Sequence, residues 1–319
     1  MKPRAVIGLV AAVLLAMPAA AEDRTFRLSV LSPNPGMMDD LRAITLPALA
    51  RQGFVEGRNL RIDARFGAVE RLPALAKELV ATAPDVVFAS SNPSVEAFMA
   101  ATTSVPIVMF GQDPVGAGYA QSLARPGGQV TGVAILTADL DVKRLEQLRD
   151  VVPGARRVAV LVHTTGRDNE MREKTLNTMG QRAGLTITHH YVTREEDYRP
   201  AFAAMRAAGA ELLVVSANTN FARDVGTIAA LATAARLPTV CEWQEMAAQG
   251  CLLGYGPSRS ELYRLSANYI ARILRGAAPG ELPIEQPANF ELGVNMHVAR
   301  SLNVTIPPTL LLRADQVTE

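Results

Sequence analysis

Six polar clusters, each placed directly after an apolar run, carry the side chains best suited to hold a small polar molecule. Leu31 is followed by Ser32-Pro33-Asn34, Ala89 by Ser90-Ser91-Asn92-Pro93-Ser94, and Phe110 by Gly111-Gln112-Asp113. Val162 is followed by His163-Thr164-Thr165, Ser216 by Ala217-Asn218-Thr219-Asn220, and Cys241 by Glu242-Trp243. Where such runs are strands of an open α/β sheet, ligands sit outside their carboxyl ends. The candidate ligand contacts are therefore Asn34, Ser90, Ser91, Asn92, Gln112, Asp113, His163, Thr164, Asn218, Glu242 and Trp243. Ser91-Asn92-Pro93-Ser94 also reads as a helix start, whose free N–H groups and dipole favour an anion such as a carboxylate. Asn92 and Ser94 could equally serve only as helix caps, and Asp113 before Pro114 has the same alternative. Trp243, the single tryptophan, either covers an aromatic or apolar ligand or packs in the core.

These groups are suited to binding rather than bond breaking. The sequence has no P-loop, no complete G-x-G-x-x-G, no nucleophile elbow and no H-E-x-x-H pair. Gly116 and Gly118 approach a dinucleotide loop but lack the third glycine. The four histidines, His163, His189, His190 and His297, are scattered without an evident oriented partner. Two cysteines are too few for a disulfide scaffold and lack the spacing of a zinc site. No catalytic residue, metal or cofactor is expected.

The elements that must position the clusters alternate along the whole chain. Apolar runs predict strands at 26–31, 60–66, 85–89, 106–110, 157–162, 185–191, 211–216, 238–241 and 251–255. Amphipathic segments such as 71–82, with Leu72, Leu75, Leu79 and Val80 on one face, and 262–274 predict helices between them. Strand-helix alternation is the pattern of parallel sheets covered on both faces, which accounts for strands that read as continuous apolar runs. The rhythm breaks at 131–140, after a predicted helix ending at Arg125-Pro126-Gly127-Gly128, and again at 254–257 and 290–295. Three breaks predict three passages between two lobes. One lobe would hold 22–131 plus 256–287 and the other 141–253 plus 296–319, with hinge crossings at 132–140, 254–255 and 288–295.

Residues 1–21 read as a secretory signal peptide: Lys2 and Arg4 precede an uncharged apolar run over 5–17, and Ala19 and Ala21 suit signal peptidase. The run is shorter than the ~20 residues that span a bilayer. Without Lys2 and Arg4, 30 of the 32 basic residues face 31 acidic ones, so the exported chain is near neutral. That balance gives no reason to expect nucleic acid or an anionic membrane as partner, and no later apolar stretch is long enough to insert into a bilayer.

Several stretches resemble the periplasmic substrate-binding proteins of ABC importers, in the branch described as tryptophan/tyrosine-type. They are RQGFVEGRNLRIDARFGAVERLPALAKELVATAPDVVFAS, TTSVPIVMFGQDPVGAGYAQSLARPGGQVTGV, KRLEQLRDVVPGARRVAVL, GYGPSRSELYRLSANYIARILRGAAPGELPIEQPANFELGVN and LNVTIPPTLLLRADQV. The combination of DPVGAG, SLARPGG-VTG, LPIEQP-FEL and TIPP-LLLRAD is specific, and coverage runs from about Phe26 to Val317. The resemblance implies a periplasmic binding protein of type I: two Rossmann-like lobes with parallel sheets, a three-strand hinge and a cleft for one small molecule. It further implies periplasmic location, docking onto an inner-membrane permease, and ligand contact from the Ser90 to Asn92 and Gln112-Asp113 loops. This chain departs at His163-Thr164-Thr165-Gly166, where relatives often carry an Asn-Pro turn, and at Glu242-Trp243.

The expected function is capture of an amino acid or aromatic carboxylate for an ABC importer. An exported sensor serving a membrane receptor is the alternative, and a two-lobed racemase less so, because both cysteines fall in one lobe. Cys241 and Cys251 are expected to remain unlinked. Opposite ends of neighbouring parallel strands put Cα atoms about 10 Å or more apart, and a disulfide needs them within roughly 7 Å.

Overall fold

The computed structural model describes residues 24–166 and 169–319; the signal peptide expected over 1–21 lies outside the described residues. Two sheets organise the chain. The first contains β1 (Phe26–Ser32), β2 (Leu60–Phe66), β3 (Val86–Ala89), β4 (Ile107–Gln112) and β5 (Val130–Ile135), all parallel, in the order β2-β1-β3-β4-β5. Its helices are α1 (Met37–Asp40), α2 (Leu46–Arg51), α3 (Leu72–Ala81) and α4 (Asn92–Ala101). The second contains β6 (Arg157–His163), β7 (Thr186–Val192), β8 (Leu212–Val215), β9 (Thr239–Cys241), β10 (Leu253–Pro257), β11 (Phe290–Asn295) and β12 (Gln316–Thr318). Its order is β12-β11-β10-β9-β8-β6-β7, and only the β10–β11 pair is antiparallel. Around it lie α5 (Thr137–Val151), α6 (Asn169–Ala183), α7 (Tyr198–Ala207), α8 (Thr219–Arg223), α9 (Val225–Ala234) and α10 (Glu245–Ala248). A long helix, α11 (Arg259–Leu274), returns to the first sheet and packs on β3, β4 and β5, after which α12 (Met296–Leu302) and α13 (Pro308–Leu311) follow β11.

Each sheet thus repeats one winding, with β2-β1-β3-β4-β5 mirrored in β7-β6-β8-β9-β10. Strand order reverses between β1 and β3 and again between β6 and β8, which are the points where open sheets leave a crevice at the carboxyl ends.

Burial on both faces explains the unbroken apolar strands. In β3, Val86 and Phe88 join the core shared with α11, whereas Val87 and Ala89 pack with Leu75, Leu79 and Phe98 of α3 and α4. In β8, Leu213 and Val215 face one core while Leu212 and Val214 face the other. Tyr263 of α11 meets Phe88 and Phe110 edge-on, with centroids 6.3 and 5.8 Å away.

All nine predicted strands are present within one or two residues. Two sequence expectations fail. Residues 113–129 form turns and irregular backbone rather than a helix ending at Arg125; Asp113 has a φ of +37° there and its Oδ1 accepts the Gly116 N–H at 2.9 Å, closing a tight turn. Cys241 and Cys251 are joined by a disulfide, with Cα atoms 6.2 Å apart. The reason is register: Leu253 pairs with Val240 and Gly254 with Cys241, so β10 begins at the level where β9 ends. The chain therefore makes a short excursion through the four-residue α10 instead of a full return crossover, and Cys251 comes back beside Cys241.

Candidate functional site

A cavity opens where the carboxyl ends of both sheets face each other. From the first sheet, Asn34, Ser90, Ser91, Asn92 and Gln112 line it. Ser91 is the N-cap of α4: its backbone is extended and its hydroxyl accepts the Ser94 N–H at 3.3 Å and shares a hydrogen bond with the Ser94 hydroxyl at 2.9 Å. Asn92 has a different task. Its Nδ2 donates to the Gln112 carbonyl at 2.9 Å, and its Oδ1 accepts the Gln112 N–H at 2.8 Å, so the amide stitches α4 to the end of β4. Gly111 makes room for that stitch, because a Cβ there would lie 2.6 Å from Asn92 Oδ1. Ser90 donates to the Ser32 hydroxyl at 2.8 Å, which also accepts the Asn34 N–H at 3.0 Å. Asn34 in turn accepts the Gly36 N–H at 2.9 Å, leading into α1.

From the second sheet come Thr165, Gly166, Asn218, Glu242 and Trp243. Asn218 caps α8 by accepting the Asn220 N–H at 2.9 Å. Asp113, His163 and Thr164 are not among the lining residues. The His163 ring is buried beside Phe221 and shares a 2.8 Å hydrogen bond with the Thr165 hydroxyl; burial pushes its pKa below the ordinary histidine value. Thr164 bonds the Thr193 hydroxyl at 2.9 Å.

Glu242 is 7 % exposed, and no donor or ion-pair partner reaches its carboxyl group among the described residues. Burial pushes its pKa up, opposed by the nearby positive charges of Arg144 and Arg172. Those two arginines belong to a buried triad. Asp141 Oδ1 pairs with Arg144 Nη1 at 2.8 Å, and Asp141 Oδ2 accepts Arg172 Nε at 2.8 Å. Arg144 then donates to the carbonyls of Tyr255 (2.8 Å) and Glu242 (3.2 Å), and Arg172 to that of Ala217 (3.1 Å). The triad therefore holds the backbone at the ends of β8 and β9, under the cavity floor.

Arg259, Tyr263, Glu245, Met246 and Gln249 also line the cavity and were missed in the sequence. Arg259 pairs with Asp40 of α1, lies 4.0 Å from Glu245 Oε1 and sits over Trp243 with its guanidinium carbon 5.9 Å from the ring centroid. One signal pointed to it: Ser258-Arg259-Ser260-Glu261 has the spacing of a helix start, and Ser258 does cap α11, placing Arg259 in the first turn beside the end of β10.

Two repeated α/β lobes with a cavity between their strand ends define a type I binding-protein architecture. Matching over residues 33–318 to the ABC transporter substrate binding protein model places the chain in that family, whose role is solute capture for ABC transport, not catalysis. A tyrosine-binding protein of Clostridioides difficile (strain R20291) is 22 % identical over 288 residues, covering 89 % of this chain and 82 % of the relative. A conserved domain protein from Vibrio cholerae superposes with a TM-score of 0.86 at 23 % identity, covering 92 % of this chain and 100 % of that one. An ABC domain from Streptococcus pneumoniae in complex with L-Trp gives 0.83 at 23 % identity, covering 92 % and 99 %. Among the described residues no helix is long and apolar enough to cross a membrane, and no group of acidic, histidine or cysteine side chains is arranged to hold a metal ion.

Proposed function

We propose that this chain is an exported, periplasmic protein that binds an aromatic α-amino acid between its lobes and delivers it unchanged to an inner-membrane ABC permease. The observation that carries this reading is the pairing of opposite recognition elements across one cavity. The first lobe offers the positive end of the ten-residue α4, whose dipole favours a carboxylate, with the backbone N–H of Asn92 and the hydroxyls of Ser90 and Ser91 beside it. The second lobe offers the buried, unpartnered Glu242 carboxyl group, whose need for a donor an ammonium group meets with charge as well as hydrogen bonds. Trp243 and Tyr263 supply aromatic walls for a ring. The tyrosine and tryptophan ligands of the relatives support the same solute class. Contacts split between lobes form together only when the lobes approach, so ligand shifts the population toward closure about the three passages that follow β5, follow β10 and precede β11.

Calorimetry with L-tyrosine and L-tryptophan, each beside its des-amino propionate analogue, tests the proposal. The amino acids are expected to bind and the des-amino acids to bind at least about tenfold more weakly, the loss of one charge-assisted contact. Solution scattering should show a smaller radius with the bound amino acid. Equal binding of the des-amino acids, or recovery of a chemically altered solute, would overturn the reading.

A further inference from the structure

We infer that the Cys241–Cys251 disulfide is a positioning device for the ligand cleft, so that solute affinity depends on the oxidised state of this bond. The inference rests on the amino-acid reading of the cleft. Residues 242–250, enclosed by the disulfide, contain Glu242, Trp243, Glu245, Met246 and Gln249, all of which line the cavity. Nearly all of the cleft's second-lobe charge and its only tryptophan therefore sit on one covalently closed loop.

The loop's own hydrogen bonds are local turn bonds, from the N–H groups of Met246, Ala247, Gln249, Gly250 and Cys251 to the carbonyls of Trp243, Gln244, Met246 and Ala247, and Trp243 and Met246 pack into the core. β9 has three residues, and Cys241 has a strand partner on the β10 side alone, Gly254. α10 is a single turn of four residues with no side-chain cap, and so short a helix is not stable on its own propensity. Two side chains tether the loop backbone, Arg144 at the Glu242 carbonyl and Asn295 at the Ala247 carbonyl, the latter at 2.7 Å.

Its position is also tightly specified. The carbonyls of Glu242, Trp243 and Gln244 lie against glycines of β10 and β11: a Cβ on Gly256, Gly254 or Gly293 would come within 2.2, 2.1 and 2.3 Å of them respectively. Bare glycines permit this approach but grip nothing. The disulfide fixes both ends of the loop to the sheet beneath it. Because the closed loop is short, the bond restrains the unfolded chain less than a long-range disulfide would. Its effect falls mainly on local geometry, lowering the ordering cost that Glu242 and Trp243 would otherwise incur on binding.

The test compares three forms of the full exported chain: oxidised wild type, wild type reduced by a dithiol, and the C241A/C251A double variant. Reduction adds two electrons and two protons, leaving two thiols here and a disulfide in the reagent; alkylation and mass spectrometry verify it. L-Tyrosine affinity is measured by calorimetry, fold by far-ultraviolet circular dichroism, and loop position by Trp243 fluorescence, which is specific because Trp243 is the single tryptophan. The expected result is unchanged secondary structure, altered Trp243 emission and L-tyrosine binding weakened about tenfold or more, the cost of re-ordering two side chains. Affinity within about twofold of the oxidised form, with only the melting temperature lowered, would show that the bond is a stability staple and overturn the inference. Should the buried disulfide resist the dithiol, the double variant decides; should that variant not fold, reduced wild type decides. Failure of the oxidised protein itself to bind L-tyrosine or L-tryptophan would overturn the substrate class and this inference with it, an outcome distinct from a redox-insensitive Kd.

Discussion

Replacing Glu242 by Gln is expected to move stability and affinity in opposite directions. Glu242 is 7 % exposed, burial raises its pKa, and Arg144 donates to the Glu242 backbone carbonyl rather than to the carboxyl group. Leaving a buried polar group without a partner costs about 1–3 kcal/mol, more when it is charged. Glutamine has the same shape and stays an unpaired polar group but removes the charge, so E242Q should gain about 1 kcal/mol or more in urea unfolding at neutral pH, the part of the penalty that comes from the charge. A raised folded-state pKa means that the folded protein holds this proton more tightly than the unfolded chain. The gain should therefore be absent below the ordinary glutamate value of 4.5 and develop as pH rises from there through the folded pKa. In the ligand assay the variant loses the negative charge that meets an ammonium group. A hydrogen bond to a charged group contributes about 1.5–3 kcal/mol, so the Kd for L-tyrosine should rise about 10- to 150-fold. Urea titrations at pH 4 and 7 with calorimetry on the same preparations decide it. A variant that is less stable than wild type at neutral pH, or that keeps its L-tyrosine affinity, would refute the assignment of Glu242 as an unpaired carboxyl awaiting a cation.

Three further substitutions, at two positions, probe the supports. Asn92→Ala removes both bonds to the Gln112 backbone and should cost about 1–3 kcal/mol in urea unfolding. Asn92→Asp keeps the acceptor but sets a negative charge where a ligand carboxylate would lie, so calorimetry should show the larger affinity loss for Asp. Asp141→Asn leaves the guanidiniums of Arg144 and Arg172 buried without their carboxylate. Breaking such a network by removing one partner costs about 3–5 kcal/mol, and a loss in urea unfolding below about 1 kcal/mol, the range of an exposed ion pair, would show that the pair relaxes to solvent.

The fold was legible because burial on both faces turns each parallel strand into a short apolar block. β3 and β8, four residues each and buried throughout, could be placed to within a residue or two. β5 and β11 were not legible as strands, because the glycine-containing stretches 131–140 and 290–295 read as breaks in the rhythm, yet Gly132 and Gly293 lie inside them, as Gly254 and Gly256 lie inside β10. A Cβ at Gly132 would fall 2.1 Å from the Met109 carbonyl, and the other three meet the backbone of residues 242–244. In a strand, glycine can mark close backbone approach rather than a break, and sequence alone does not distinguish the two. The cavity was legible in part for a related reason. Strand-end rules locate clusters, so eight of the eleven candidates line it. They do not tell which residue of a turn faces inward, which is why Thr165 is at the wall and His163 is beneath it. Arg259 and Tyr263 arrive from a helix that starts after β10, beyond the reach of any rule about strand ends.

The cysteines show how a sound rule can fail through an unstated premise. Parallel neighbours do need a crossover of a dozen or more residues when the chain must travel back along the full strand. Cys241 and Cys251 are separated by 10 in sequence, too short for that journey, so the spacing itself excluded the geometry from which unlinked thiols were inferred. A crossover that cannot return must leave its second strand starting level with the end of the first, as the pairing of Gly254 with Cys241 shows. That offset has a functional side. It keeps residues 242–250 at the carboxyl edge of the sheet, facing the other lobe, instead of spending them on a helix along the sheet's flank. A long crossover would have presented one polar strand end here; the short, disulfide-closed one presents five cavity-lining residues.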